Sequence, residues 1–152
     1  MIDALDRKIL GIVQQDAGQS QTDIGRRLGV PVSTINERLK RLHKSGIIRK
    51  TVSLVDPDLV GKGTTAFIFV QLQPTEDRSG FFDGINGDPD IVECHHVTGG
   101  WNYLLKVRVP TAKAVNRILN ERLGAASGVV RTETMFALSS DKETTEIDVS
   151  SD

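Results

Sequence analysis

A single cysteine, Cys94, is the only thiol in this 152-residue chain. No disulfide can therefore form within it, and a reducing compartment is the expected setting. Aromatic residues are scarce too, at 5% of the sequence, which argues against a protein that grips single strands by stacking bases. No apolar run approaches the roughly 18 residues needed to span a bilayer. The opening MIDALDRK lacks the apolar region of a signal peptide, so a cytoplasmic location and no membrane partner are expected. The chain also has little net charge, −1 from 19 Lys and Arg against 20 Asp and Glu. That balance conceals a division. Residues 1–50 hold ten basic residues (Arg7, Lys8, Arg26, Arg27, Arg38, Lys40, Arg41, Lys44, Arg49, Lys50) and five acidic ones (Asp3, Asp6, Asp16, Asp23, Glu37), a net +5. The remaining nine basic and fifteen acidic residues leave −6. A basic module joined to an acidic one is the electrostatic footprint of a nucleic-acid-binding domain that carries something else.

The basic third contains its own punctuation. Thr22 to Ile48, TDIGRRLGVPVSTINERLKRLHKSGII, begins with a short helix whose apolar stripe is Ile24 and Leu28. Gly29-Val30-Pro31 breaks it, and a second helix runs from about Val32 to Lys44, with Gly46 beyond its end. A short helix, a Gly-containing turn and a longer basic helix make a helix-turn-helix, whose second helix enters the DNA major groove. On that helix Ile35, Leu39 and Leu42 share one side and must face a core. Ser33, Glu37, Lys40 and Lys44 lie opposite, with Asn36 on one flank and Thr34 and Arg41 on the other. The expected base readers are Ser33, Asn36, Glu37 and Lys40, and the expected phosphate contacts are Arg26, Thr34, Arg38, Arg41 and Lys44. An ordinary amphipathic helix would show the same pattern; Glu37 could equally tether Arg41 at i+4. The charge division favours DNA.

A further helix precedes this pair, about Asp3 to Gln15, with Leu5, Ile9, Ile12 and Val13 as its stripe and Asp3 and Asp6 at the positive end of its dipole. After Gly46, residues 47–55 read as a strand, either a wing or a spacer, and Asp56-Pro57-Asp58 with Gly61-Lys62-Gly63 marks a boundary. From Thr64 the texture changes. Residues 65–72 form a nearly continuous apolar strand; Arg78 to Gly87 is a short helix; Ile91–Val97 and Trp101–Val109 are strands joined through Gly99-Gly100. Thr111 is the expected N-cap of the next helix, whose buried stripe is Val115, Ile118 and Leu119, and Val129 to Leu138 is a closing strand. The order β-α-β-β-α-β indicates a ferredoxin-like sandwich, so the chain is α+β: residues 1–50 a helix-turn-helix domain of winged-helix type, 51–63 a strand linker, 64–140 the sandwich, and 141–152 a polar acidic tail whose end is expected to fray. One face of such a sheet has no helices. Whichever set points outward on its first strand, Phe67 and Phe69 or Ala66, Ile68 and Val70, it is apolar, so a dimer at least is expected.

With both halves in this order, the chain resembles the Lrp/AsnC (leucine-responsive/asparagine-responsive, feast/famine) transcriptional regulators. TDIGRRLGVPVSTINERLKRLHKSGIIRKT and VTGGWNYLLKVRV carry the resemblance, which covers about residues 2–145. It implies a regulator of transcription that binds double-stranded DNA, assembles from dimers into octamers or larger forms, and senses amino acids or related small molecules through its C-terminal domain. It implies an effector between subunits, near Gly99, Gly100, Trp101 and Asn102 and near Thr132 and Thr134 on the last strand. Asn102 stands where the family usually has Asp. A carboxylate can pair with an ammonium group, whereas an amide offers only dipolar bonds. The other reading of the same fold is an architectural protein that wraps DNA and ignores ligands.

Enzymatic equipment is sparse. Cys94-His95-His96 puts Cys94 and His96 on one face of a strand and His95 on the other. Two ligands do not make a zinc site, and no nucleophile–base pair or phosphate-cradling loop accompanies them. No enzyme, no metal and no cofactor are expected, apart from the effector that the resemblance implies.

Overall fold

The computed structural model describes residues 2–74, 77–124 and 128–150. The chain divides into two compact units, one formed by residues up to Leu54 together with the segment from Lys142 onward, the other by Val55–Asp141.

The first unit is three helices around one small core. Asp3 opens α1 (Ala4–Gln15) with a reciprocal cap: its carboxylate accepts from the Asp6 amide at 2.9 Å, and its own amide donates to the Asp6 carboxylate at 3.0 Å. Ser20 caps α2 (Gln21–Leu28) by accepting from the Asp23 amide at 3.1 Å. Gly29, with φ of 66°, ends α2 in the left-handed region that favours glycine. α3 (Val32–Lys44) follows after Pro31. Ile9, Leu10, Ile12, Ile24, Ile35 and Leu42 are buried together; Leu5, Val13, Leu28 and Leu39 close the core from its margin.

Gly25 sets how closely α2 meets the turn. It is buried, its carbonyl accepts from the Val30 amide at 2.9 Å, and a Cβ there would lie 2.7 Å from the Val30 carbonyl oxygen.

Residues 49–56 form no strand, contrary to the expectation for 47–55. Val52, Leu54 and Val55 are exposed, and a strand needs a partner edge to satisfy its amides. In the tail, Ile147 and Val149 bond to α1, and Val149 packs against the helical core. Residues 151 and 152 lie outside the description.

The second unit is a four-stranded antiparallel sheet of β1 (Thr64–Leu72), β2 (Ile91–His96), β3 (Tyr103–Val109) and β4 (Val129–Phe136), in the order β2-β3-β1-β4. That is the ferredoxin-like arrangement. Ala66, Ile68, Val70 and Leu72 point to the buried face with Tyr103, Leu105, Val107 and Val109. Phe81 and Ile85 of α4 (Ser79–Asn86) cover them, joined by Val115 and Ile118 of α5. α5 spans residues 112–122 as a 3₁₀ turn (Ala112–Ala114), an α turn (Val115–Arg117) and a wider π turn (Ile118–Arg122). Thr111 stands at its N-terminus, but its side chain makes no cap bond there. Phe67 and Phe69 are the outward set.

Candidate nucleic-acid interface and effector region

α3 presents one face to the helical core and one to solvent. Ser33, Glu37, Lys40 and Lys44 are exposed, and Asn36 and Thr34 are half-buried on the flanks. Among the described residues none of these side chains has a hydrogen-bond or ion-pair partner, so the i+4 tether from Glu37 to Arg41 is not made. Val32, 48% exposed in the first turn of α3, adds an apolar group where recognition helices meet base edges.

Two expected phosphate contacts are committed elsewhere. Arg38 donates to Asp3 and, at 3.2 Å, to Asp6; Arg41 donates to the other oxygen of Asp6. The Asp6 carboxylate is fully buried, and a buried charge is tolerated only when paired. The Arg38 guanidinium holds the Asp3 carboxyl at about 2, and Asp3 in return raises the pKa of Arg38. These bonds lash α3 to α1, so the two arginines hold the reading helix in place. Arg26 is exposed and paired with Asp23 at 3.0 Å. Arg27, Arg49 and Lys50 are exposed basic groups to which the helical wheel assigned no role. The missed signal for the brace was Asp6 itself, a buried acid in the first turn of α1.

In the second unit the expected effector residues divide between two faces of the sheet. Trp101 leans on the outward Phe69, with ring centroids 5.9 Å apart, and the Arg131 guanidinium lies 4.8 Å from its centroid. Thr132 pairs with Val70 and Thr134 with Ile68, so both threonines point to the helix-covered side, half-buried at its β4 edge. Within one chain, then, Trp101 and the threonines do not converge. Gly99 has φ of 103°, which the turn before Trp101 requires. A Cβ on neighbouring Gly100 would meet nothing within 4 Å.

Asn102 is built into the sheet. Its side-chain oxygen accepts from the Leu72 amide at 2.7 Å; its own amide donates to the Val70 carbonyl at 2.9 Å; and its carbonyl accepts from the Val97 amide at 3.0 Å. It therefore ties the β2–β3 turn to the end of β1. The backbone N–H fixes which way the side chain points, leaving the amide NH₂ as the free end.

A second ionic brace has no local signature in the sequence. The fully buried Asp88 carboxylate accepts from Arg117 at 2.5 and 3.1 Å and from Arg122 at 3.0 Å, while Asp90 takes Arg117 at 3.0 Å and Lys62 at 2.5 Å. The two arginines fasten α5 to the loop before β2, and the Arg117 guanidinium holds the Asp88 carboxyl far below the usual carboxylate range. Cys94 is half-buried against the core, and burial pushes its thiol up. His96 stacks on Tyr103 with centroids 5.0 Å apart, and His95 turns outward to Glu93 at 3.1 Å. Among the described residues no three His, Cys, Asp or Glu side chains are placed to hold a metal, and no helix is long and apolar enough to cross a membrane.

Comparison with known proteins covers both units. Residues 2–49 match the winged helix-turn-helix DNA-binding family, and residues 65–147 match the Lrp/AsnC ligand binding domain. The HTH-type transcriptional regulator FL11 of Pyrococcus horikoshii is 33% identical over 148 residues, covering 97% of each chain. FL11 of Pyrococcus furiosus is also 33% identical, covering 98% of this chain and 97% of its own. Among solved structures, the transcriptional regulator NMB0573 of Neisseria meningitidis, in complex with L-Met, superposes with a TM-score of 0.92 at 28% identity, covering 97% of this chain and 96% of its own. An AsnC family regulator from Agrobacterium tumefaciens gives 0.88 at 28% identity, covering 96% of each.

Proposed function

The chain belongs to the Lrp/AsnC family of transcriptional regulators, and from that premise we propose that α3 reads an operator in the major groove, with an amino acid or a related small molecule tuning its affinity. It is a ligand-modulated transcriptional regulator and not an enzyme. The observation that carries the DNA reading is the unpaired outward face of α3, held against α1 by Arg38 and Arg41. On this reading Ser33, Asn36, Glu37 and Lys40 meet base edges, with Val32 beside them. Lys44 and Thr34 grip phosphates, with Arg26 and Arg27 on α2. The proposed location is the cytoplasm.

We further propose a dimer as the working form, with octamers or larger forms built from it. Phe67, Phe69 and Leu104 leave an apolar outer face on the sheet, with Met135 exposed beside them. The exposed Val52, Leu54 and Val55 sit on a segment with no strand partner among the described residues. A dimer would cover the first and could pair the second. The effector site then lies where chains meet, around Gly99, Gly100, Trp101, Asn102, Thr132 and Thr134, because within one chain these residues face opposite ways. The binding of L-Met by the Neisseria regulator supports an amino acid as its occupant.

The test is a titration onto duplex DNA from upstream of the protein's own gene, with and without each amino acid. A sequence-preferring affinity that one amino acid shifts is expected. Equal affinity for all sequences and a flat response to every ligand would favour an architectural DNA-wrapping role instead.

A further inference from the structure

We propose that the C-terminal segment Glu146–Ser150 is a strap that anchors the DNA-reading unit a second time, and so sets the half-site spacing at which two reading units engage DNA. The proposal rests on the paired reading stated above.

The contacts are specific. Gln14 donates from Nε2 to the Ile147 carbonyl at 3.0 Å and accepts at Oε1 from the Ile147 amide at 2.9 Å. One side-chain amide thus supplies both bonds that a neighbouring strand would supply. Arg7 donates to the Val149 carbonyl at 2.9 Å, and the Val149 side chain packs against the helical core. The receiving surface is the face of α1 formed by Ala4, Arg7, Lys8, Gly11, Gln14 and Gln15, which recur once per helical turn. No α3 residue lines this groove, so the strap leaves the reading face open.

Chain connectivity gives the contact its consequence. The reading unit joins the sheet unit once between Leu54 and Val55 and again between Asp141 and Lys142. On the second path the Ala137 amide is still bonded to Thr65, at 3.0 Å. Residues 138–145 are all that separates it from the latched segment, and they reach at most about 30 Å when fully extended. A domain on one flexible linker samples many positions, and a second short tether removes most of them. In a dimer, two strapped readers would be pre-set to one separation of half-sites; unstrapped readers would tolerate many.

The experiment uses the full chain and a series of duplexes carrying two half-sites, their separation varied in single base pairs over one helical turn. Two variants release the strap: Gln14→Ala, which removes both bonds and keeps a good helix former, and Val149→Asp, which makes burial of that side chain costly. Hydrogen exchange at the Ile147 amide reports release, and protection of the α3 amides reports that the reader still folds. The wild type is expected to peak at one separation. Both variants are expected to lose affinity at that peak and to flatten the profile by about tenfold between best and worst spacing. If the strap were only a stabilising contact, the variants would weaken binding equally at every spacing; an unchanged profile shape therefore overturns the proposal. So does an Ile147 amide that exchanges freely in the wild type. A flat wild-type profile overturns the paired reading itself, and the strap with it.

Discussion

Arg41 donates to the fully buried carboxylate of Asp6, on the helix that opens the chain. A basic residue of α3 is thus occupied inside the protein. Arg38 takes the other Asp6 oxygen at 3.2 Å. The basic character of α3 therefore has two parts. Lys40 and Lys44 are free for a ligand, while Arg38 and Arg41 keep α3 in place.

Replacing Arg41 by Ala is accordingly expected to act on stability before it acts on DNA. Asp6 would keep Arg38 but lose half of its cationic partners, a loss of about 1–3 kcal/mol. Urea unfolding measures this directly. At a temperature where the variant is folded, the slope of log affinity against log salt should match that of the wild type. A slope smaller by about one would mean that Arg41 leaves Asp6 for a phosphate in the complex.

Lys40 and Lys44 should separate in the opposite sense. Lys44→Ala is expected to weaken binding to all sequences alike and reduce the salt slope by about one. Lys40→Ala is expected to relax preference at one base pair by about 1–3 kcal/mol. Competition binding with single-base operator variants distinguishes the two.

Gly25 offers a purely steric test. An added methyl would meet the Val30 carbonyl oxygen at 2.7 Å, and that oxygen belongs to backbone that cannot swing away. Gly25→Ala should therefore destabilise the first unit by about 1–3 kcal/mol, although alanine is the better helix former. Thermal unfolding of the full chain, with amide exchange to locate the loss in α2 and α3, checks it.

The ionic braces predict an acid limb. The Arg117 guanidinium lowers the Asp88 carboxyl well below its ordinary value, and Arg38 holds Asp3 at about 2. A carboxyl with a depressed folded value contributes stability that is present above its unfolded value, near 3.9. That contribution is lost as pH falls below about 4 and on through the folded values. Asp88→Asn should lower stability at neutral pH and flatten the decline below pH 4. Urea midpoints measured across pH would show both effects.

How much of this could be read in advance depended on the range of each interaction. The helix-turn-helix and the β-α-β-β-α-β order show in local periodicity and punctuation, because burial of one face imposes spacing on neighbouring residues. Which apolar set of β1 points outward does not show there, since Phe67 and Phe69 alternate with residues just as apolar. The register against β3 and β4 decides it. Asp6 was legible as an acid at the positive end of a helix dipole, but its partners lie 32 and 35 residues away. Asp88 finds Arg117 and Arg122 across 29 and 34 residues. The strand expected over 47–55 has no partner edge among the described residues.

Asn102 carries the remaining prediction. Its side-chain oxygen accepts from the Leu72 amide at 2.7 Å, and the rest of the amide is a neutral donor that carries no charge for an ammonium group. An aspartate here could accept from Leu72 with one oxygen and still present a charged oxygen to an ammonium group. Asn102→Asp should therefore keep the turn tied to β1, with thermal stability close to the wild type, while strengthening the response to free amino acids. Asn102→Ala should lose the tie and about 1 kcal/mol of stability. Calorimetric titration with an amino acid and with its N-acetyl derivative, which lacks the ammonium group, isolates the charge effect. The Asp variant should gain affinity for the first and not for the second. An equal gain for both would mean that position 102 shapes the turn without touching the amine.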